Sequence, residues 1–128
     1  GTLGNIIAGA GDDIIELEDA DFVAFRFAGN DGADQLIYSG LQSETTGVSN
    51  VNLGGGNDQL VLQNIEAAVL IVNAGPGDDT VSAASGINQV SVRAAFFGGP
   101  EANDSIDLSA LSSPGSPVVI GFENSIIV

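Results

Sequence analysis

Apolar residues recur along this chain in a two-residue rhythm that restarts after each of five glycine-rich turns ending in Asp. Two places after that Asp stand Ile15, Leu36, Leu60, Val81 and Ile106. Four places after it stand Leu17, Tyr38, Leu62, Ala83 and Leu108. Such alternation predicts a strand with one buried face, because successive side chains of an extended chain point to opposite sides. Seven places after the Asp come Ala20, Leu41, Ile65 and Leu111, with Ile87 one later. A second strand then leads to the next turn, over 22–27, 48–53, 69–73, 90–96 and 118–120. Each unit reads as turn, strand, second turn, strand. No helix of useful length is expected.

The first turns of the units are Gly9-Ala10-Gly11-Asp12-Asp13, Gly29-Asn30-Asp31-Gly32-Ala33-Asp34, Gly54-Gly55-Gly56-Asn57-Asp58, Gly75-Pro76-Gly77-Asp78-Asp79 and Gly98-Gly99-Pro100-Glu101-Ala102-Asn103-Asp104. Their final Asp residues, 13, 34, 58, 79 and 104, are separated by 21, 24, 21 and 25 residues. Counted from the first Gly, turn two carries one extra residue and turn five carries two. The second turns vary: 18–21 is short, whereas 40–47 and 109–117 read as longer loops.

One such unit cannot bury its apolar face alone, so the units are expected to stack. The predicted fold is all-β: a parallel β-solenoid with one coil of 21–25 residues per repeat and its glycine turns aligned on one side. Five coils and a partial one would make a rod about 25–30 Å long at the usual strand spacing. Residues 1–128 are expected to form a single domain. The Gly1 start and the lack of Met suggest a module processed or excised from a larger chain or assembly.

Charge narrows the partners. Seventeen acids stand against Arg26 and Arg93 alone, a net charge of −15. Nucleic acid and anionic membrane surfaces call for clustered Lys or Arg, so both are excluded as partners. Regular apolar strands argue against disorder despite the acidity. Nine of the acids lie in the glycine turns, a crowding that calls for counter-ions. There is no Cys, which rules out disulfides and thiolate sites and fits an extracellular protein. Neither a signal peptide nor an 18-residue apolar run for membrane insertion is present.

The turns carry the candidate chemistry. Glycine reaches positive φ without steric cost, so these runs can aim several carbonyls at one point, and the Asp adds a hard anionic oxygen. Calcium takes six to eight oxygens, more than one turn supplies but within reach of two stacked turns. Five turns leave four gaps, so ions are expected between consecutive coils. Magnesium prefers a stricter octahedron, and zinc prefers His or Cys, which this chain lacks. The alternative is that Asp and Gly merely form turns; five copies in phase favour calcium.

These turns resemble the RTX (hemolysin-type) calcium-binding repeat, Gly-Gly-x-Gly-x-Asp-x-U-x with U apolar. Residues 53–61 match it with Leu53 in place of the first Gly, and 8–16 and 74–82 match with Ala first. The resemblance implies that Asp13, Asp58 and Asp79 are calcium ligands, together with Asp34 and Asp104 in the less regular turns. It implies turn carbonyls as further ligands, over Gly9, Gly11 and Asp12, over Gly54, Gly56 and Asn57, and over Gly75, Gly77 and Asp78. Asp31 and Asn103 complete the candidate set. The chain departs from a standard RTX β-roll, whose nine-residue period places calcium turns on both sides. Here the motif recurs once per coil, and Leu41, Ile65 and Ile87 occupy the opposite side. Only 5–10 hints at a neighbouring nonapeptide. Residues 120–128, Ile-Gly-Phe-Glu-Asn-Ser-Ile-Ile-Val, also look like a segment of RTX-bearing surface-layer and adhesin-like proteins.

These resemblances imply an extracellular or cell-surface structural module that folds with calcium, in a surface layer, sheath, fibre or adhesin. Its partners would be copies of itself or neighbouring repeats. The alternatives are the C-terminal secretion and folding module of a secreted enzyme, or a decoration protein on a virus particle. No catalytic residue is expected. Glu16, Glu18, Asp19 and Asp21 cluster near the first coil, but no His, Lys or Tyr stands beside them. Phe22, Phe25, Phe27, Phe96 and Phe97 read as strand packing, and Arg26 and Arg93 as surface ion-pair partners.

Overall fold

The structure, a computed structural model, describes residues 2–18, 21–39, 42–86, 88–100, 103–114 and 116–127, with the side chains at 2, 21–23 and 42–46 left aside. The expectations for Asp19, Ala20, Leu41, Ile87 and Glu101, and for the side chains of Asp21 and Phe22, lie outside the described residues. Among the described residues there is no helix. The strands are β1 (Thr2–Ile7), β2 (Ile14–Glu18), β3 (Asp21–Ala28), β4 (Gln35–Ser39), β5 (Gln42–Asn52), β6 (Gln59–Gln63), β7 (Glu66–Asn73), β8 (Thr80–Ser85), β9 (Asn88–Phe97), β10 (Ser105–Leu108), β11 (Leu111–Ser112), β12 (Val118–Ile120) and β13 (Asn124–Ile127).

They form a parallel β-solenoid. One sheet runs β1-β3-β5-β7-β9-β11, with β12 also on β9, and the other runs β2-β4-β6-β8-β10-β13. Every pairing is parallel. The chain therefore alternates between sheets, and each glycine turn carries it from the first sheet to the second.

The alternating apolar code sets the register. Ile15, Leu36, Leu60, Val81 and Ile106 lie opposite one another along the second sheet, as do Leu17, Tyr38 and Leu62. From the first sheet, Phe27, Val51, Val72 and Phe96 make the facing row. Leu36, Leu60, Val81, Val51, Val72 and Phe96 are fully buried. Each Leu or Phe so buried stabilises the fold by about 1.5–3 kcal/mol. Phe25 and Tyr38 meet across the core, their ring centroids 4.9 Å apart. The Tyr38 hydroxyl and Ser49 Oγ hydrogen-bond at 3.1 Å. Burial pushes the Tyr38 hydroxyl up to about 12, against the opposing effect of Ser49. Phe25, Phe27 and Phe96 are core residues, as their pattern predicts.

Two parts differ from expectation. The loop expected over 40–47 is largely strand, since β5 already begins at Gln42 and pairs with β3 and β7. Its register shifts between Gln42 and Val48 absorb the surplus residues as a bulge. Backbone pairing needs no apolar side chain, so polar Gln42-Ser43-Glu44-Thr45-Thr46 gave no alternating signal. The opposite corner also holds an unexpected residue. Asn88 is 1% exposed. Its Oδ1 accepts the Ile65 amide at 3.3 Å, and its Nδ2 donates to the carbonyls of Ser85 at 3.1 Å and Ala110 at 3.3 Å. Three consecutive coils are thereby tied at one point, beside the buried Ile65 anticipated there.

Candidate metal centre

Each of the first four glycine turns contains two residues in the left-handed region, and the described part of turn five contains one. The first are Gly9 (φ 98°), Asn30 (69°), Gly54 (94°), Gly75 (89°) and Gly99 (118°). The second are Gly11 (104°), Gly32 (128°), Gly56 (119°) and Gly77 (127°). Glycine, and less readily Asn, tolerates this conformation. The second position has another reason to be glycine. A Cβ at Gly32 would overlap the carbonyl oxygen of Gly11, one at Gly56 that of Gly32, and one at Gly77 that of Gly56. The turns thus stack glycine on glycine, with their carbonyls aimed into the next coil.

This stacking corrects the phasing of two turns. Asn30 takes the place of the first left-handed Gly, and Gly29 belongs to the position before it. Turn two therefore has no extra residue. In turn five Gly99 stacks on Gly75, and the Asp79 amide donates to Asp104. From 75 to 79 is four steps and from 99 to 104 is five, so turn five has one extra residue and not two.

The closing Asp residues form a ladder along the solenoid. The amide of Asp13 donates to Asp34 Oδ1 at 2.9 Å. The amides of Asp34, Asp58 and Asp79 donate at 2.8 Å to Oδ1 of Asp58, Asp79 and Asp104 in turn. The Asp104 amide donates to Glu123 Oε2 at 3.0 Å. Carbonyls add a second rail: those of Asp13, Asp34 and Asp79 accept the amides of Gln35, Gln59 and Ser105 at 2.8 Å, and that of Asp58 accepts Thr80 at 2.9 Å. One carboxylate oxygen of each Asp from turn two onward is thus occupied in holding coil to coil.

The other oxygen carries the candidate chemistry. Asp34 and Asp58 are 3% and 2% exposed. Oδ2 of Asp13, Asp34 and Asp58 is buried with no hydrogen-bond partner. A buried anionic oxygen left in this state costs several kcal/mol unless something compensates it. The strain shows at Asp58, whose carboxyl is pushed up to about 6. Burial is the main cause; the Asp34 amide bond works against it, and the neighbouring Asp34 charge adds to it.

The candidate ligands therefore fall into two sets. Asp13, Asp34, Asp58, Asp79 and Asp104 align inside the turns. Asp12, Asp31, Asn57, Asp78 and Asn103 are exposed on the outer side. There Asp12 Oδ1 accepts the Ala33 amide at 2.8 Å and Asn57 Oδ1 accepts the Asp78 amide at 3.0 Å, roles that brace the turns. No group of three or more acidic side chains converges among the described residues. A metal held here would rely on one or two carboxylate oxygens supplemented by turn carbonyls. That donor set is all oxygen, and its orphaned carboxylate oxygens fit a hard cation such as calcium. Glu123 was not anticipated as the end of the ladder. It follows Asp104 by 19 residues and lacks the glycine run, but its longer side chain spans the shorter turn. No family model, curated protein or solved structure matches the chain.

Proposed function

We propose that this chain is a calcium-binding structural module of an extracellular or cell-surface assembly, and that calcium completes its fold. The observation that carries this reading is the line of turn carboxylates, tethered through one oxygen from turn two onward, with Oδ2 of Asp13, Asp34 and Asp58 buried and unsatisfied. The RTX-like form of the turns supports the same reading. Calcium supplies positive charge where the fold has concentrated negative charge, and the stacked turns supply the oxygens it prefers. Extracellular calcium modules need only sub-millimolar to millimolar affinity. The solenoid extends by simple repetition of its coils, which supports copies of the chain or neighbouring repeats of a longer chain as partners.

Isothermal titration tests the reading. Calcium should bind with at least one site per chain and be displaced by chelator, while magnesium at the same concentration should give a much weaker signal. No heat and no chelator-sensitive binding at millimolar calcium would overturn it.

A further inference from the structure

The two sheets present unlike outer faces. Along the first sheet Phe25, Phe27, Val51, Val72 and Phe96 lie in the core, so the residues between them point outward. Pairing aligns Asn5, Arg26, Asn50 and Ile71 in one outer row, and Leu3, Ala24, Val48, Val69 and Arg93 in the next. These rows, and the row from Ile7 to Phe97 beside the turns, contain no acid, although the chain carries 17; they contain both of its basic residues. Arg26 and Arg93 are exposed, and neither makes an ion pair within the chain among the described residues. Beside Arg26 the face dips into a groove of about 350 Å³ walled by Leu3, Ala24 and Val48.

The opposite face of the solenoid carries what that surface lacks. Glu16, Ile37, Val61, Ser82 and Asp107 lie opposite one another along the second sheet. They alternate with the inward row of Leu36, Leu60, Val81 and Ile106, so they point outward. The two faces also match in position. Arg26 stands three residues before Gly29 and Glu16 three after Asp13, so both lie about equally far from the edge that the glycine turns form. Nearer that edge, Ile7 on one face and Ile14 on the other are 66% and 77% exposed. Along the stack, Arg93 and Asp107 belong to one coil, and Arg26 and Glu16 to neighbouring coils, about 5 Å apart in height. A second copy shifted sideways without rotation would therefore bring Ile14 to Ile7 and Glu16 to Arg26.

We propose that the outer face of the first sheet docks the outer face of the second sheet of a second copy of this chain, Glu16 of one copy meeting Arg26 of the other. The inference rests on the reading above in one respect, that copies of the chain are its partners, and it names the surface through which they meet. Chains of net charge −15 repel one another in most orientations. A face free of acids and holding both Arg residues is the surface on which an acidic copy is attracted, so charge selects the orientation. The apolar walls of the groove beside Arg26 exclude water and strengthen the pair. The two faces are unlike and lie on opposite sides of the solenoid, so each contact leaves one of each kind free. The contact therefore repeats, setting solenoids side by side in an open row with facing sheets about 10 Å apart.

Sedimentation velocity of the whole chain in millimolar calcium tests the contact. At low salt the wild type should form larger species as its concentration rises toward millimolar, and molar sodium chloride should return it to the monomer. Arg26→Glu and Glu16→Arg should each stay monomeric while keeping the wild-type circular dichroism spectrum, because either change sets like charges against each other. Mixed in equal amounts, the two variants should associate again, since each offers the other the opposite charge. A mixture that stays monomeric would overturn the pairing of Arg26 with Glu16. A wild type that is monomeric at low salt would overturn the inference; if it were instead retained on heparin, the face would belong to a foreign polyanion. Association that both variants retain alone would also overturn it, and would leave copies of the chain as partners through another surface. Calcium binding is read separately by titration, so none of these results decides the calcium reading.

Discussion

A turn Asp in this fold has two functions, one per oxygen. At Asp58, Oδ1 accepts the Asp34 amide at 2.8 Å, while Oδ2 is buried and unsatisfied. Asp58→Ala orphans a buried amide and should cost about 1–3 kcal/mol in urea unfolding, with or without calcium. Asp58→Asn keeps an acceptor and should lose less in chelator. If the two variants were equally unstable there, the amide bond would not be the cause. The raised carboxyl gives a further expectation. With an ordinary value of 3.8 and a folded value of about 6, the folded chain binds more protons than the unfolded one between those limits. In chelator, stability should therefore be greatest below about pH 4 and fall as the pH rises through 6. Denaturation at pH 4, 5, 6 and 7 in chelator checks the sign; stability rising across that range would contradict it.

At the scale of elements, the alternating code was legible because one two-residue period controls both which side chain is buried and which residue pairs with which. Ile15, Leu36, Leu60, Val81 and Ile106 could be aligned from sequence and do lie in one row. What escaped was set by backbone. Gly29 looked like the start of a turn but is a strand-end residue, and Asn30 supplies the left-handed φ usually left to glycine. The tether from each Asp Oδ1 to the preceding coil's amide also has no sequence signature, since a calcium ligand and an amide acceptor are the same residue type. Asn88 was illegible because an Asn followed by Gln89, just after Gly86, resembles any loop polar group. Its three hydrogen bonds bind coils otherwise joined by strand pairing. Asn88→Ala should lower stability by roughly 2 kcal/mol. Asn88→Asp should cost more, because it turns a carboxylate oxygen toward two carbonyls. Thermal melts of the two variants test the ranking; a melting temperature unchanged in both would show that the corner bears no load.

The whole molecule is a thin stack whose acids are concentrated along one edge. Consecutive turn carboxylates about 5 Å apart repel by roughly 3 kcal/mol per pair at an effective dielectric near 20, before screening by salt. A domain's net stability is only about 5–15 kcal/mol. The amide tethers offset part of this repulsion, but they leave Oδ2 of Asp13, Asp34 and Asp58 uncompensated. A divalent cation reverses the sign of the interaction, and its binding free energy then adds to folding. The most direct measurement is circular dichroism of the chain during a thermal melt, once in chelator and once in millimolar calcium at neutral pH. The account predicts a β-rich spectrum and a melting temperature raised by more than ten degrees in calcium, with strand signal weakened or lost in chelator. The same spectrum and the same melting temperature in both would contradict it.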